Sequence, residues 1–244
     1  MKYKIETINK FEAGFTLIEL LLALAITGIV ISLTGSGLYA LMNANQRSQN
    51  DTNERIELEQ AVAFMTDEIK MSQSVMTSIP KGSKEDKIFN SASGSSFAQV
   101  VLVLKPAANS GLTIPIIYYL AKPPNESVWL GPRVIYRWGP TLLENGNYSN
   151  GDGDDVTKIK SDKPVEYFNE VVIDRLSDLA IDETKINCGS GYNYLDINGK
   201  TKDSSGFYSC ISPDRKSVKL WIYKQPNSSA KSTMINALVV TRSN

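Results

Sequence analysis

Histidine is absent from all 244 residues. Without an imidazole the chain cannot build a Ser-His-Asp or Cys-His nucleophile, a histidine general base, or a metal site with a histidine ligand. Cysteine is scarce, at two residues, too few for a zinc tetrahedron. Net charge is also lacking: 26 Lys+Arg balance 26 Asp+Glu, so there is no basic field on which general affinity for nucleic acid or anionic lipid would rest. No phosphate-cradling glycine loop or dinucleotide fingerprint occurs, and no carboxylate pair is marked by spacing as a general acid and base. The sequence therefore reads as a non-enzyme. Its composition, 42% apolar and 21% charged, is that of a chain with a sizeable core, neither disordered nor polytopic.

One long hydrophobic run is present. Leu20 to Leu38 is nineteen residues without a charge, about 28 Å as a helix and close to the hydrocarbon thickness of a bilayer. Before it lies a polar leader, Met1–Gly14, with Lys2, Lys4, Lys10, Glu6 and Glu12. No small-residue cleavage site follows the apolar run, as one would in a secretory signal. The three leader lysines point to a cytoplasmic N-terminus, and the residues after about 40 are then exported. Glu19 interrupts the border of the run within Phe15-Thr16-Leu17-Ile18-Glu19-Leu20-Leu21-Leu22. A carboxylate inside a membrane costs about 2.5–3.5 kcal/mol and normally has a partner. No basic residue lies within a turn or two, so it needs either headgroup solvation or a cation from elsewhere.

Gly14-Phe15-Thr16-Leu17-Ile18-Glu19-Leu20 resembles the class III signal of type IV prepilins and pseudopilins. The resemblance implies that a prepilin peptidase cuts between Gly14 and Phe15 and that Phe15 becomes N-methylphenylalanine. Glu19 would then be the fifth mature residue, used in assembly to pair with a neighbouring subunit's N-terminal amine, which supplies the missing cation. Cleavage would leave 244 − 14 = 230 residues, with 26 − 3 = 23 basic and 26 − 2 = 24 acidic side chains. The implied partners are the peptidase, other pilins or pseudopilins through the N-terminal helix, and the inner-membrane assembly platform. The implied location is the inner membrane as a single-pass protein with a periplasmic C-terminal domain, then the pilus or pseudopilus. Family members often carry a proline where this chain has Ser36, bracketed by Gly35 and Gly37. These glycines and Gly28, each costing about 1 kcal/mol relative to Ala, serve either local melting or close helix packing.

No proline occurs from Phe15 to Ile79, so one helix is expected through Ile79. Leu58, Val62, Met65, Ile69 and Met76 form an apolar stripe with Ser72 as its polar gap, flanked by Ala61 and expected to lie on a sheet. Phe64, Met71 and Val75 form a second stripe, either core edge or a contact with the next subunit, and Glu59, Asp67 and Lys70 fall between the two. Pro80 and the loop 81–96 end the helix. Strands are expected at 99–104, 114–121, 134–138, 171–174, 207–211, 217–223 and 234–241, with 174–179 open to a helical turn instead. Val100–Leu104 is a continuous apolar run, expected to be buried on both faces.

The expected fold class is thus α+β: a pilin fold with one long N-terminal α-helix, its first half in the membrane, on an antiparallel sheet domain. The expected divisions are a cleaved leader 1–14, a transmembrane or filament-core helix 15–40, its amphipathic continuation 41–79 and an exported β-rich domain 80–244. The order and length of these parts, with the segments 171–179 and 236–242, resemble the larger minor pilins of the pilus protein W and secretion J-type group. That resemblance implies a structural subunit or assembly factor of a filament serving motility, adhesion, DNA uptake or secretion. The alternatives are a pseudopilus component of a type II-like secretion system and a filament-displayed binding module.

Cys188 and Cys210 enclose a Gly-, Ser- and Tyr-rich segment on the exported side, where disulfides persist. Pairing them contributes about 3 kcal/mol in the chain-entropy model; two unpaired thiols are the alternative. Asn150, Asp152, Asp154 and Asp155 offer alternating oxygen ligands for calcium, against the plainer reading of an acidic solvated turn. No other cofactor is indicated. Trp129, Trp138, Tyr118, Tyr119, Tyr136 and Tyr223 read mainly as sheet core and edge, with a ligand platform as the alternative, and Lys158, Lys160 and Lys163 as a solvated edge.

Overall fold

The computed structural model describes residues 16–79, 99–149, 153–157, 165–178, 187–195, 206–224 and 233–241. Backbone contacts divide the chain into two compact units, Met1–Asn53 and Glu54–Asn244. A single helix, α1, spans Leu17–Met71 and contributes to both.

Within the first unit the helix carries an unburied stretch long and apolar enough to cross a membrane. Its hydroxyl side chains are satisfied on their own helix. Thr27 donates to the Ala23 carbonyl at 2.7 Å, Ser32 to Gly28 at 2.9 Å, Thr34 to Val30 at 2.8 Å and Ser36 to Leu33 at 3.0 Å. Such back-bonding removes the cost of taking a free hydroxyl into hydrocarbon. The helix runs unbroken through Gly35, Ser36 and Gly37.

In the second unit, residues 54–71 of α1 lie against an antiparallel sheet. Its strands are β1 (Ser72–Val75), β2 (Gln99–Pro106), β3 (Ile116–Ala121), β4 (Arg133–Gly139), β5 (Phe168–Leu176), β6 (Asn193–Tyr194), β7 (Phe207–Ile211), β8 (Ser217–Lys224) and β9 (Thr233–Val240). The lateral order is β1-β2-β3-β4-β5-β8-β7-β6, with β9 also paired to β8. The sheet curls. Val75 N–H donates to the Arg215 carbonyl at 3.0 Å, and the Ser209 hydroxyl donates to the Val101 carbonyl at 2.7 Å. These bonds bring the first strands to the last ones.

Leu58, Ala61, Val62, Met65 and Ile69 of α1 are buried with Leu102, Leu104, Tyr118, Leu120, Ile135, Leu176, Phe207, Leu220 and Ile222 in the main core. The stripe at 58, 62, 65 and 69 therefore lies on the sheet as its spacing predicts. A second, smaller core gathers Val100, Val103, Ile117, Tyr119 and Trp138, with Met76 and Ile79 packed on it. Val100–Leu104 is divided between the two cores, and a bulge between Val100 and Leu102 puts Val101 and Leu102 in the same one. The run is buried on both faces, as expected.

Two elements differ from the sequence expectation. The helix ends at Met71 rather than Ile79, because Ser72–Val75 leaves it to pair with β2 as an edge strand. Ser and Val are mediocre helix formers, and the exit lets Met76 N–H bond the Val103 carbonyl at 2.8 Å while its side chain reaches the second core. Segment 174–176 is not a helical turn but the end of β5. There Arg175 has a left-handed φ of 56°, and its N–H bonds the Leu130 carbonyl at 2.9 Å. The expected strands 99–104, 134–138, 207–211, 217–223 and most of 234–241 are found, while the short β6 was not anticipated.

Candidate functional site

At the start of α1 the motif closes on itself. The Thr16 N–H and hydroxyl both donate to Glu19 Oε2 at 2.9 Å, and the Glu19 N–H returns to Thr16 Oγ1 at 3.4 Å. This is a capping box, the reciprocal arrangement a Thr-x-x-Glu spacing favours because it satisfies donors that the first helical turn leaves orphaned. It holds Glu19 in one rotamer at the helix start, with Oε1 free of any donor among the described residues. Gly14 and Phe15 lie outside the described residues.

A second polar constellation is buried. Glu68 and Arg137 both have fully buried side chains. Arg137 Nε donates to Glu68 Oε2 at 2.9 Å and Nη2 to Oε1 at 2.6 Å, a bidentate fork. The remaining guanidinium donors reach Glu170 Oε2 at 3.0 Å and the Pro140 carbonyl at 2.7 Å. The Tyr118 hydroxyl also donates to Glu68, and the Phe64 ring lies 5.8 Å from Arg137 Cζ. Room for the fork depends on Gly139, where a Cβ would sit 3.0 Å from the guanidinium. Burial opposes charge on Arg137, but the Glu68 carboxylate and its hydrogen bonds outweigh it and hold the guanidinium pKa above its usual value. Burial, reinforced by the Glu68 charge, pushes the Tyr118 phenol well up.

Sequence reasoning missed Glu68. Its signal was positional: it lies three residues from Met65 on the face of Leu58, Ala61, Val62, Met65 and Ile69, where a carboxylate is out of place unless a cation meets it. Two further helix acids meet sheet cations. Glu57 accepts from buried Lys224 at 2.6 Å, and Glu54 lies 3.8 Å from Arg175.

Cys188 and Cys210 form a disulfide, tying the segment before β6 to β7. Lys219 of β8 lies beside the bridge, its Nζ donating to the Cys188 carbonyl at 2.8 Å and standing 3.9 Å from the Tyr192 ring centroid. Of the calcium candidates, Asn150 and Asp152 lie outside the described residues. Asp155 accepts from Asn147 Nδ2 at 2.7 Å, Thr157 N–H at 2.9 Å and the Thr157 hydroxyl at 2.6 Å, so its oxygens organise a turn. Among the described residues no three His, Cys, Asp or Glu side chains gather to hold a metal. The six aromatics do not share one surface. Tyr118, Tyr119 and Trp138 are buried, Tyr136 stacks on Tyr119, Tyr223 stacks on Tyr208 and Trp129 is partly exposed in the β3–β4 connection. Lys158, Lys160 and Lys163 lie outside the described residues.

A long N-terminal helix on a curled antiparallel sheet is a pilin-like α+β architecture. Residues 9–35 match the family model of the prokaryotic N-terminal methylation motif. The chain thus carries a type IV pilin-like N-terminal signal, the mark of a structural protein. No curated protein and no solved structure matches the chain.

Proposed function

We propose that this chain is a minor pilin or pseudopilin, stored in the inner membrane and packed by its N-terminal helix into a type IV pilus-like filament. The observation that carries the reading is the methylation motif at residues 9–35 running directly into an apolar helix with Glu19 in its first turn. Prepilin peptidase cleaves after Gly14 and the new Phe15 amine is methylated. That amine is the cation Glu19 lacks within its own helix, and Oε1 is the oxygen left open by the capping box. Lateral burial of the apolar helix against like helices replaces lipid contact, and the ionic contact is strong because it forms in a low-dielectric surrounding. The periplasmic sheet domain is carried to the filament surface.

Mass analysis of the mature protein tests the processing: the chain should begin at Phe15 and carry one methyl group, and a start at Met1 overturns the assignment. Glu19→Ala should still be cleaved and inserted but be lost from sheared filaments. Normal incorporation would contradict the pairing role.

A further inference from the structure

Among the described residues, strand β9 is an open edge. Residues 218–222 of β8 pair with β7 on one side and with β9 on the other, so β9 turns its second edge away from the sheet. Its register runs without a bulge from Ser217↔Val240 to Lys224↔Thr233. No backbone hydrogen bond outside the β8 ladder involves residues 233–240 among the described residues. Protein edges of this length are normally protected by a charged side chain, a proline or a bulge. The sequence Thr-Met-Ile-Asn-Ala-Leu-Val-Val has none of these. Its outward row is Met234, Asn236, Leu238 and Val240, and the three apolar members are 50%, 61% and 57% exposed.

The other sheet boundaries are unlike it. β1 has its Val75 N–H taken by Arg215, β6 is two residues long, and β5, which meets β8 only at Leu176↔Lys224, carries the charged Glu170, Asp174 and Arg175. Among the edges of the described residues, an uncharged apolar strand therefore finds its match in the β9 of another copy rather than in the charged β5 edge. We infer that β9 pairs antiparallel with the β9 of a second copy of this chain, joining two sheets about a two-fold axis.

Self-complementarity supports that occupant. With the axis at Ala237, Met234 faces Val240 of the second copy and Ile235 faces its Val239, while Asn236 faces its Leu238. Each face thus holds an apolar pair, Met234–Val240 on one and Ile235–Val239 on the other, beside the mixed Asn236–Leu238 pair, and with no charge in the strand the symmetry sets no like charges opposite each other. Zero net charge on the whole chain adds no long-range repulsion between copies. A two-fold contact closes on itself, whereas a filament grows through heterologous contacts. The pair is accordingly a form of the unassembled chain, from which a subunit must separate before it polymerises.

The test uses the full chain in detergent micelles, with protein mass measured by sedimentation over a concentration series. The wild-type chain should reach twice its monomer mass. Leu238→Lys alters a side chain exposed in the monomer, so the fold should persist, and it should weaken association roughly tenfold or more, because each position 238 is diagonal to Met234 and to position 238 of the second copy, where two lysines would repel. In the Ala237→Cys chain the new thiols should form a reducible intermolecular cross-link. The two native cysteines are already bonded to each other and offer no competing thiol. A monomer at every concentration, a dimer indifferent to Leu238→Lys, or no cross-link through position 237 would each overturn the inference. An indifferent dimer would point to the apolar helix as the contact.

Discussion

Glu68 and Arg137, 69 residues apart in the sequence, form a two-pronged ion pair with neither side chain exposed. The pair joins α1 to β4 inside the main core and thereby fixes which turn of the helix meets which strand. A shift of the helix by one turn would bury Glu68 without its cation, which is the costly outcome.

Removing one partner should be far worse than removing both. Glu68→Ala or Arg137→Ala leaves an uncompensated buried charge and should cost about 3–5 kcal/mol. The Glu68→Leu, Arg137→Met double variant should recover most of that loss. Near-ultraviolet circular dichroism during denaturation of the full chain in detergent checks this, and strictly additive single losses would refute it.

Gly131 should resist any side chain. Its φ is 91°, and a Cβ there would come 2.5 Å from Arg175 Cα, a backbone atom that cannot swing aside. Gly131→Ala is expected to destabilise by about 1–3 kcal/mol through strain and displacement of the Arg175 backbone. Gly146→Ala is the control. Its φ of 80° carries the same backbone penalty, but the added Cβ meets nothing within 4 Å, so its melting temperature should fall less.

The disulfide should matter for stability. Cys188 and Cys210 are separated by 22 positions, and closing such a loop in the unfolded chain contributes about 3 kcal/mol. The Cys188→Ser, Cys210→Ser double variant should melt lower and be cleaved faster by protease. Equal protease resistance would show the bridge to be energetically idle.

Alkaline pH should weaken the fold. Burial holds the phenols of Tyr118, Tyr119, Tyr148, Tyr167 and Tyr208 above the ordinary tyrosine value. The folded state therefore keeps these protons when the unfolded chain has begun to lose them. Their contribution is whole below about pH 10 and falls as pH rises beyond it. The melting temperature should drop across that range, less steeply for Tyr208→Phe, and a flat profile to about pH 11.5 would contradict the burial of these rings.

Much of the second unit was legible because its patterns are local. The alternation in Val218-Lys219-Leu220-Trp221-Ile222-Tyr223 gives β8 its buried and outward faces, and the spacing 58-62-65-69 gives α1 its core face. β1 was illegible because Ser72-Gln73-Ser74-Val75 continues a proline-free helical stretch, and only a waiting edge on β2 makes the strand preferable. Glu68 was overlooked because its justification, Arg137, lies on another element.

The sequence by itself determined the N-terminal signal, the apolar helix and the α+β class, since peptide recognition, hydropathy and periodicity each depend on neighbouring residues. Tertiary structure alone decided where α1 ends, which cation neutralises Glu68 and that β9 is left as an edge. Those outcomes depend on which strands come to lie side by side, and hydrogen bonding and desolvation act between groups the chain brings together only when folded.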